Sequence, residues 1–151
     1  VGHLVCLDPT KKGDITKSGT IWSYKGIKRS ISTVSIDPEN GLLFVGDFSG
    51  FVHCLDADTG KLHWVYDMKA HMWGSTFVAD GKVYVGDEDG DFVVLASDKK
   101  MKLLSETYFP APIYSTPVVA NGILYVATQS HLYALYDEAR AKAATDQPKA
   151  K

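Results

Sequence analysis

Long apolar runs are missing from this chain: its hydrophobic stretches, such as Leu42-Leu43-Phe44-Val45 and Phe92-Val93-Val94-Leu95, run for only four or five residues. A helix needs about 20 to cross a bilayer, so the chain carries no transmembrane segment of that kind. Cysteine is scarce as well. Cys6 and Cys54 stand alone, which excludes a disulfide framework and the paired-cysteine signatures of haem or zinc. They fill the same slot of successive repeats, on strands expected to diverge beyond the roughly 7 Å that a bridge allows, so both thiols are expected free. An excess of charge of one sign is also absent: 16 Lys and Arg face 18 Asp and Glu, for a net charge of -2. Without a basic footprint, nucleic acid is not an expected partner. Nor does any Ser/His/Asp or Cys/His set appear at a spacing that would suggest a nucleophile.

What the sequence does have is a paragraph written nearly four times at a spacing of about forty residues. Gly50-Phe51-Val52-His53-Cys54-Leu55-Asp56 returns as Gly90-Asp91-Phe92-Val93-Val94-Leu95-Ala96 and as Ser130-His131-Leu132-Tyr133-Ala134-Leu135-Tyr136. Gly2-His3-Leu4-Val5-Cys6-Leu7-Asp8 foreshadows it. Within one period, four short strand-like runs alternate with turn chemistry: Ser32 to Ile36, Leu42 to Gly46, Phe51 to Leu55 and Leu62 to Tyr66, separated by Asn40-Gly41, Asp47 to Gly50 and Ala57 to Gly60. Repeats of this length, built from short strands that cannot bury their own faces, predict an all-β fold, a β-propeller of four-stranded antiparallel blades.

The phase of the repeat predicts a partial blade over residues 1–24, whole blades over 30–66 and 73–106, and a partial blade over 113–136, with a polar tail at 137–151 expected to be disordered. That is about three and a half blades, below the usual four to eight, and reads as the C-terminal part of a larger ring. Missing upstream blades or a protein partner would complete the circle and cover the sheet edges.

Cys54-Leu55-Asp56-Ala57-Asp58-Thr59-Gly60-Lys61-Leu62-His63-Trp64 resembles the tryptophan-docking motif of the pyrroloquinoline-quinone-type (PQQ-like) repeat, Ala-x-Asp-x-x-Thr-Gly-x-x-x-Trp, with Cys54 in the place of Ala. Leu43 to Asp47, Val83 to Asp87, and Tyr114 to Val118 with Asn121 to Val126 are similar to the rest of that repeat. The resemblance implies that Asp56, Thr59, Gly60 and Trp64 lock blades together. The motif is well kept once; Trp22 follows a lengthened turn and Leu104 stands where a Trp would be, so docking is expected to be uneven and firmest around Trp64. It also implies an extracytoplasmic, periplasmic setting. Quinoprotein dehydrogenases of that family add an adjacent-cysteine disulfide, a calcium set and often a haem segment, none of which these residues supply.

Two groups invite a functional reading. The acidic turn Asp87-Glu88-Asp89-Gly90-Asp91 offers Asp87, Asp89 and Asp91 to a hard cation such as calcium, although it lacks EF-hand spacing; an Asp-Gly hairpin turn is the alternative. The segments leading into the first strands, Lys28 to Thr33, Ala70 to Thr76 and Pro112 to Thr116, are expected at the central channel. Their Ser-Thr pairs predict a ring of hydroxyls around wet space. Arg29, His71, Trp73 and Tyr114 break the repeat there and form a possible binding rim. His3, His53 and His131 are expected as solvated or packed side chains.

Three functions follow as expectations. The first is a non-catalytic scaffold or accessory subunit that mediates protein–protein interaction, with no cofactor in this chain. The second is the C-terminal part of a PQQ-dependent dehydrogenase, which requires PQQ and calcium. The third is a small-ligand sensor that uses the rim.

Overall fold

The computed structural model describes residues 2–137, and of the expected polar tail only Asp137 falls among them. Thirteen strands and no helix make up the described chain. The first blade is the two-stranded sheet β1 (Leu4–Leu7) and β2 (Thr20–Tyr24). The second holds β3 (Ser35–Asp37), β4 (Leu42–Gly46), β5 (Phe51–Asp56) and β6 (Leu62–Asp67). The third holds β7 (Phe77–Ala79), β8 (Lys82–Gly86), β9 (Asp91–Ala96) and β10 (Leu103–Tyr108). The fourth holds β11 (Val118–Ala120), β12 (Ile123–Ala127) and β13 (Leu132–Leu135). Every blade is an antiparallel meander in chain order.

The first strands are shorter than the β-branched runs suggested, and begin three residues late at Ser35 and two late at Val118. The residues before them hydrogen-bond to neighbouring blades instead of their own. Asp80-Gly81 and Asn121-Gly122 both have positive φ at their two residues, 51° and 66°, 53° and 75°. That is the type I′ reversal whose twist matches a two-residue hairpin.

Burial follows the joints between blades. On β4 the side chains alternate, so Leu43 and Val45 join Leu55, Trp22 and Ile27 against the first blade. Leu42 and Phe44 join Val52, Cys54, Trp64, Met68, Met72, Val83, Val85, Val93 and Leu95 against the third. A smaller cluster of Phe92, Phe109, Ile113 and Val126 sits between the third and fourth blades. The period-2 alternation of a strand therefore feeds two different cores. Outside them, β10 and β11 are exposed along their whole length, and Tyr108 on β10 and Leu132 on β13 are each 69% exposed.

Cys6 and Cys54 are both free thiols. Cys54 is fully buried and its thiol sits 3.9 Å from the carbonyl of Asp98. Burial first, and then the charge of Asp98, push its pKa to about 12, so it acts as a packing group and not a nucleophile.

Candidate functional site

Asp56, Thr59, Gly60 and Trp64 do not act at one place. Asp56 Oδ1 accepts from Thr59 N at 2.9 Å and Thr59 Oγ1 at 2.7 Å, which fixes the turn after β5 and lowers the Asp56 pKa. That turn seats the preceding blade's tryptophan. Gly60 has φ 70°, and a Cβ there would lie 2.5 Å from the Trp22 ring. Trp22 Nε1 in turn donates to Ala57 O at 3.0 Å. Trp64 does the same one joint further on, donating to Asp98 O at 2.8 Å with its ring 5.8 Å from Phe44. The expectation of a firmest joint at Trp64 thus becomes two tryptophan joints of the same design. The third differs: the register puts Ser105, not Leu104, at the place of Trp64, Leu104 beside it is exposed, and Phe109 fills the joint, 5.9 Å from Phe92 and 4.7 Å from Tyr133.

Two polar devices that the sequence reading passed over reinforce the joints. Asp37 is buried between the second and third blades and accepts from Ser97 Oγ, from Asn40 Nδ2 at 2.8 Å and from two backbone amides. The Ser97 hydroxyl is the foremost of the bonds that hold its pKa low. Asp47 is buried at the end of β4. Its Oδ1 accepts from Ser49 N and Phe51 N, and its Oδ2 from Lys28 N and opposite His53 Nε2, each at 3.2 Å. His53 Nδ1 meets Tyr24 OH of the first blade at 3.1 Å. His53→Leu is expected to remove one of the four hydrogen bonds to the buried Asp47 carboxylate and cost about 1–3 kcal/mol, against about 1 for the half-buried Tyr24→Phe. Urea unfolding of the two variants checks that order.

Asp87 occupies the same place in the third blade, with a different outcome. Its Oδ1 accepts from Asp89 N at 3.1 Å and Asp91 N at 2.9 Å, while Oδ2 is buried without a partner. Val93 stands where His53 stands one blade earlier. Burial first, with Asp91 and Asp89 adding like charge, raises the Asp87 pKa to about 6. Asp89 is exposed and Asp91 half-buried. One oxygen of the Asp87 carboxylate thus organises the turn's own amides, and among the described residues no group of three or more His, Cys, Asp or Glu is placed to hold a metal ion.

The rim residues do come together. Phe48 N donates to Arg29 O at 2.7 Å and Glu88 N to His71 O at 3.0 Å, tying each lead-in segment to the turn after its blade's second strand. Met72 and Ile113 anchor these segments beneath, each fully buried, where a Cβ on Gly46 or Gly86 would collide with them at 2.4 and 2.5 Å. Above, the side chains cross the blades in a line. The Arg29 guanidinium lies 4.9 Å over the Phe48 ring, and Phe48 meets His71 at 4.7 Å and Trp73 at 5.0 Å. Trp73 meets Tyr114 at 5.8 Å. All three ring contacts are edge-to-face, the arrangement that aromatic quadrupoles favour. Glu88 clasps the middle, 2.9 Å from Trp73 Nε1 and 3.2 Å from His71 Nδ1.

Sequence reasoning found four of these six residues and missed Phe48 and Glu88, which arrive from the turns after β4 and β8. The hydroxyls of the lead-in segments have partners in the fold. Thr33 aligns with Ser75 and Thr116, so the recurrent Ser-Thr pair of the third blade is one residue out of register. These groups bond between blades: Ser32 Oγ to Gly74 O at 2.8 Å, Thr33 N to Ser75 Oγ at 2.8 Å, Ser75 N to Thr116 Oγ1 at 2.9 Å, and Ser35 Oγ with Thr76 Oγ1 at 2.6 Å. They stitch the lead-in segments of neighbouring blades together.

Successive four-stranded meanders, packed face to face and pinned by tryptophans on the next blade's turn, define a β-propeller of PQQ-type repeats. More particularly, the chain belongs to the family described as outer membrane protein assembly factor BamB, which it matches over residues 2–101. A relative of that name from Nitrosomonas eutropha (strain DSM 101675 / C91 / Nm57) is 32% identical over 116 residues, which is 76% of this chain and 28% of that protein. Another from Moranella endobia (strain PCIT) is 27% identical over 140 residues, 82% of this chain and 36% of that one. The chain thus spans about a third of the length of these relatives. Among solved structures, the crystal structure of BamB from Moraxella catarrhalis superposes with a TM-score of 0.73 at 20% identity, covering 89% of this chain and 43% of that one. A quinohemoprotein alcohol dehydrogenase from Pseudomonas putida HK5 superposes with a TM-score of 0.61 at 24% identity, covering 72% of this chain and 18% of that one. At such identities the structural likeness is one of fold.

Proposed function

We infer that this chain is part of a non-catalytic propeller subunit that holds protein partners in an assembly at the cell envelope, outside the cytoplasm. The observation that carries the reading is the match over residues 2–101 to a family described by its assembly role. The arrangement of the molecule supports it: large side chains are invested in blade-to-blade joints, and the residues that depart from the repeat gather on one exposed rim. A quinone-dependent dehydrogenase shares the fold at 24% identity or less, and no feature of these blades favours it over the assembly reading.

Purification of the intact protein from its native envelope tests the proposal. A protein partner co-purifying in fixed stoichiometry through gel filtration, with no alcohol oxidation on addition of quinone and calcium, is the expected result. Turnover of an alcohol or sugar under those conditions would overturn it.

A further inference from the structure

The rim has two chemically distinct ends. At one, Lys28 and Arg29 lie over the rings of Phe51 and Phe48 at 5.2 and 4.9 Å. Among the described residues neither has a carboxylate within ion-pair distance. An exposed guanidinium seated over a ring still has a fork of N–H donors to offer a carboxylate. At the other end, Trp73 and Tyr114 are each 46% exposed, although their edges are already used in the aromatic line. Glu88 is spent on Trp73 and His71, so the acid that sits closest to the aromatic centre does not neutralise Arg29.

We propose that this rim docks a segment of a protein partner in which an Asp or Glu, bound by Arg29, lies about two or three residues of extended chain from an aromatic side chain that packs on Trp73 and Tyr114. The proposal rests on the reading of the chain as an assembly subunit and names the chemistry of what it holds. Arg, Trp and Tyr are the residues that dominate binding energy at protein interfaces. Here they are also pre-positioned: the backbone beneath them is hydrogen-bonded blade by blade and anchored by fully buried Met72 and Ile113. Little conformational freedom is left to lose on binding. Charge complementarity selects the partner, since an acidic residue meets an unneutralised cation at one end and an aromatic residue meets rings at the other.

The test uses the intact protein on a peptide array in which Asp or Glu is placed two or three residues from Phe or Trp, beside copies with Asn or Gln for the acid and Ala for the aromatic. Wild type is expected to bind the acid-bearing peptides about tenfold better than their amide copies, and Trp73→Ala to lose about tenfold across all of them. Arg29→Glu is expected to abolish the preference for acid. Both sites are on the surface, and an unchanged thermal midpoint establishes that the variants fold. A wild type that binds acid and amide peptides alike, or binds none, overturns the proposal, as does full binding by both variants. Native co-purification separates this from the function itself: a partner retained equally by wild type, Arg29→Glu and Trp73→Ala sinks the rim and leaves the assembly reading standing, whereas no partner even with wild type sinks that reading.

Discussion

Trp64→Ala is expected to destabilise the protein by about 3–5 kcal/mol, the range for removing a buried aromatic side chain. Trp64 closes the largest apolar cluster, and its indole satisfies the carbonyl of Asp98 in the next blade. Truncation removes the ring that lies against Phe44 and leaves that carbonyl without its donor. Leu104→Ala, on β10 beside Ser105, which the register sets where Trp64 stands one blade earlier, changes stability by about 0.5 kcal/mol or less, because Leu104 is exposed. Trp22→Ala falls close to Trp64→Ala, since it loses an equivalent bond to Ala57 and the contact with Gly60. Urea unfolding of the three variants checks the ranking. A Leu104 variant as damaged as the Trp64 variant would show that the third joint is built as the second is.

The second large effect is one of pH. Asp87 has a folded-state pKa of about 6, raised by burial above its ordinary value of 3.8. The folded protein therefore holds this proton more tightly than the unfolded chain. The associated stability is fully present below pH 3.8 and is lost as pH rises toward and through 6. The loss from this one group is about 3 kcal/mol once both states are ionised. Asp87→Asn keeps an acceptor for the amides of Asp89 and Asp91 and carries no charge, so its unfolding free energy lacks that slope. Denaturant titrations at pH 4, 5, 6 and 7 on wild type and variant check the expectation: the difference between them should move steadily in the variant's favour as pH rises. Parallel curves would show that the carboxylate ionises without penalty.

The architecture was legible because a propeller repeats its physics. Alternating apolar runs and Asn-Gly or Asp-Gly reversals are local properties, and the repeat prints the reversal three times, at Asn40-Gly41, Asp80-Gly81 and Asn121-Gly122. The joints were less legible. Asp56, Thr59, Gly60 and Trp64 fall within one nine-residue stretch, yet the first three grip the blade before and the last grips the blade after, a division that spacing alone does not reveal. Phe48 and Glu88 escaped for a related reason: both sit in turns where acidic or small residues suffice, and their function lies in reaching a neighbouring lead-in segment. A trace of the buried carboxylates was available, since Asp47 and Asp87 recur at the same slot before their turns. What separates them is a residue six positions on, His53 in one and Val93 in the other, and only the packed sheets bring that difference against the carboxylate.

Leu42 and Leu43 are neighbours in the chain and strangers in the fold, one facing the third blade and the other the first. The histories of such positions should diverge accordingly. A change at Leu43 is answered at Trp22 or Leu55 and leaves Leu42 untouched, while a change at Leu42 is answered around Val83 and Leu95, about forty and fifty residues downstream. Homologous chains would then inherit their variation in pairs one repeat apart, and a blade transplanted from one protein to another would arrive with half of each of two matched sets.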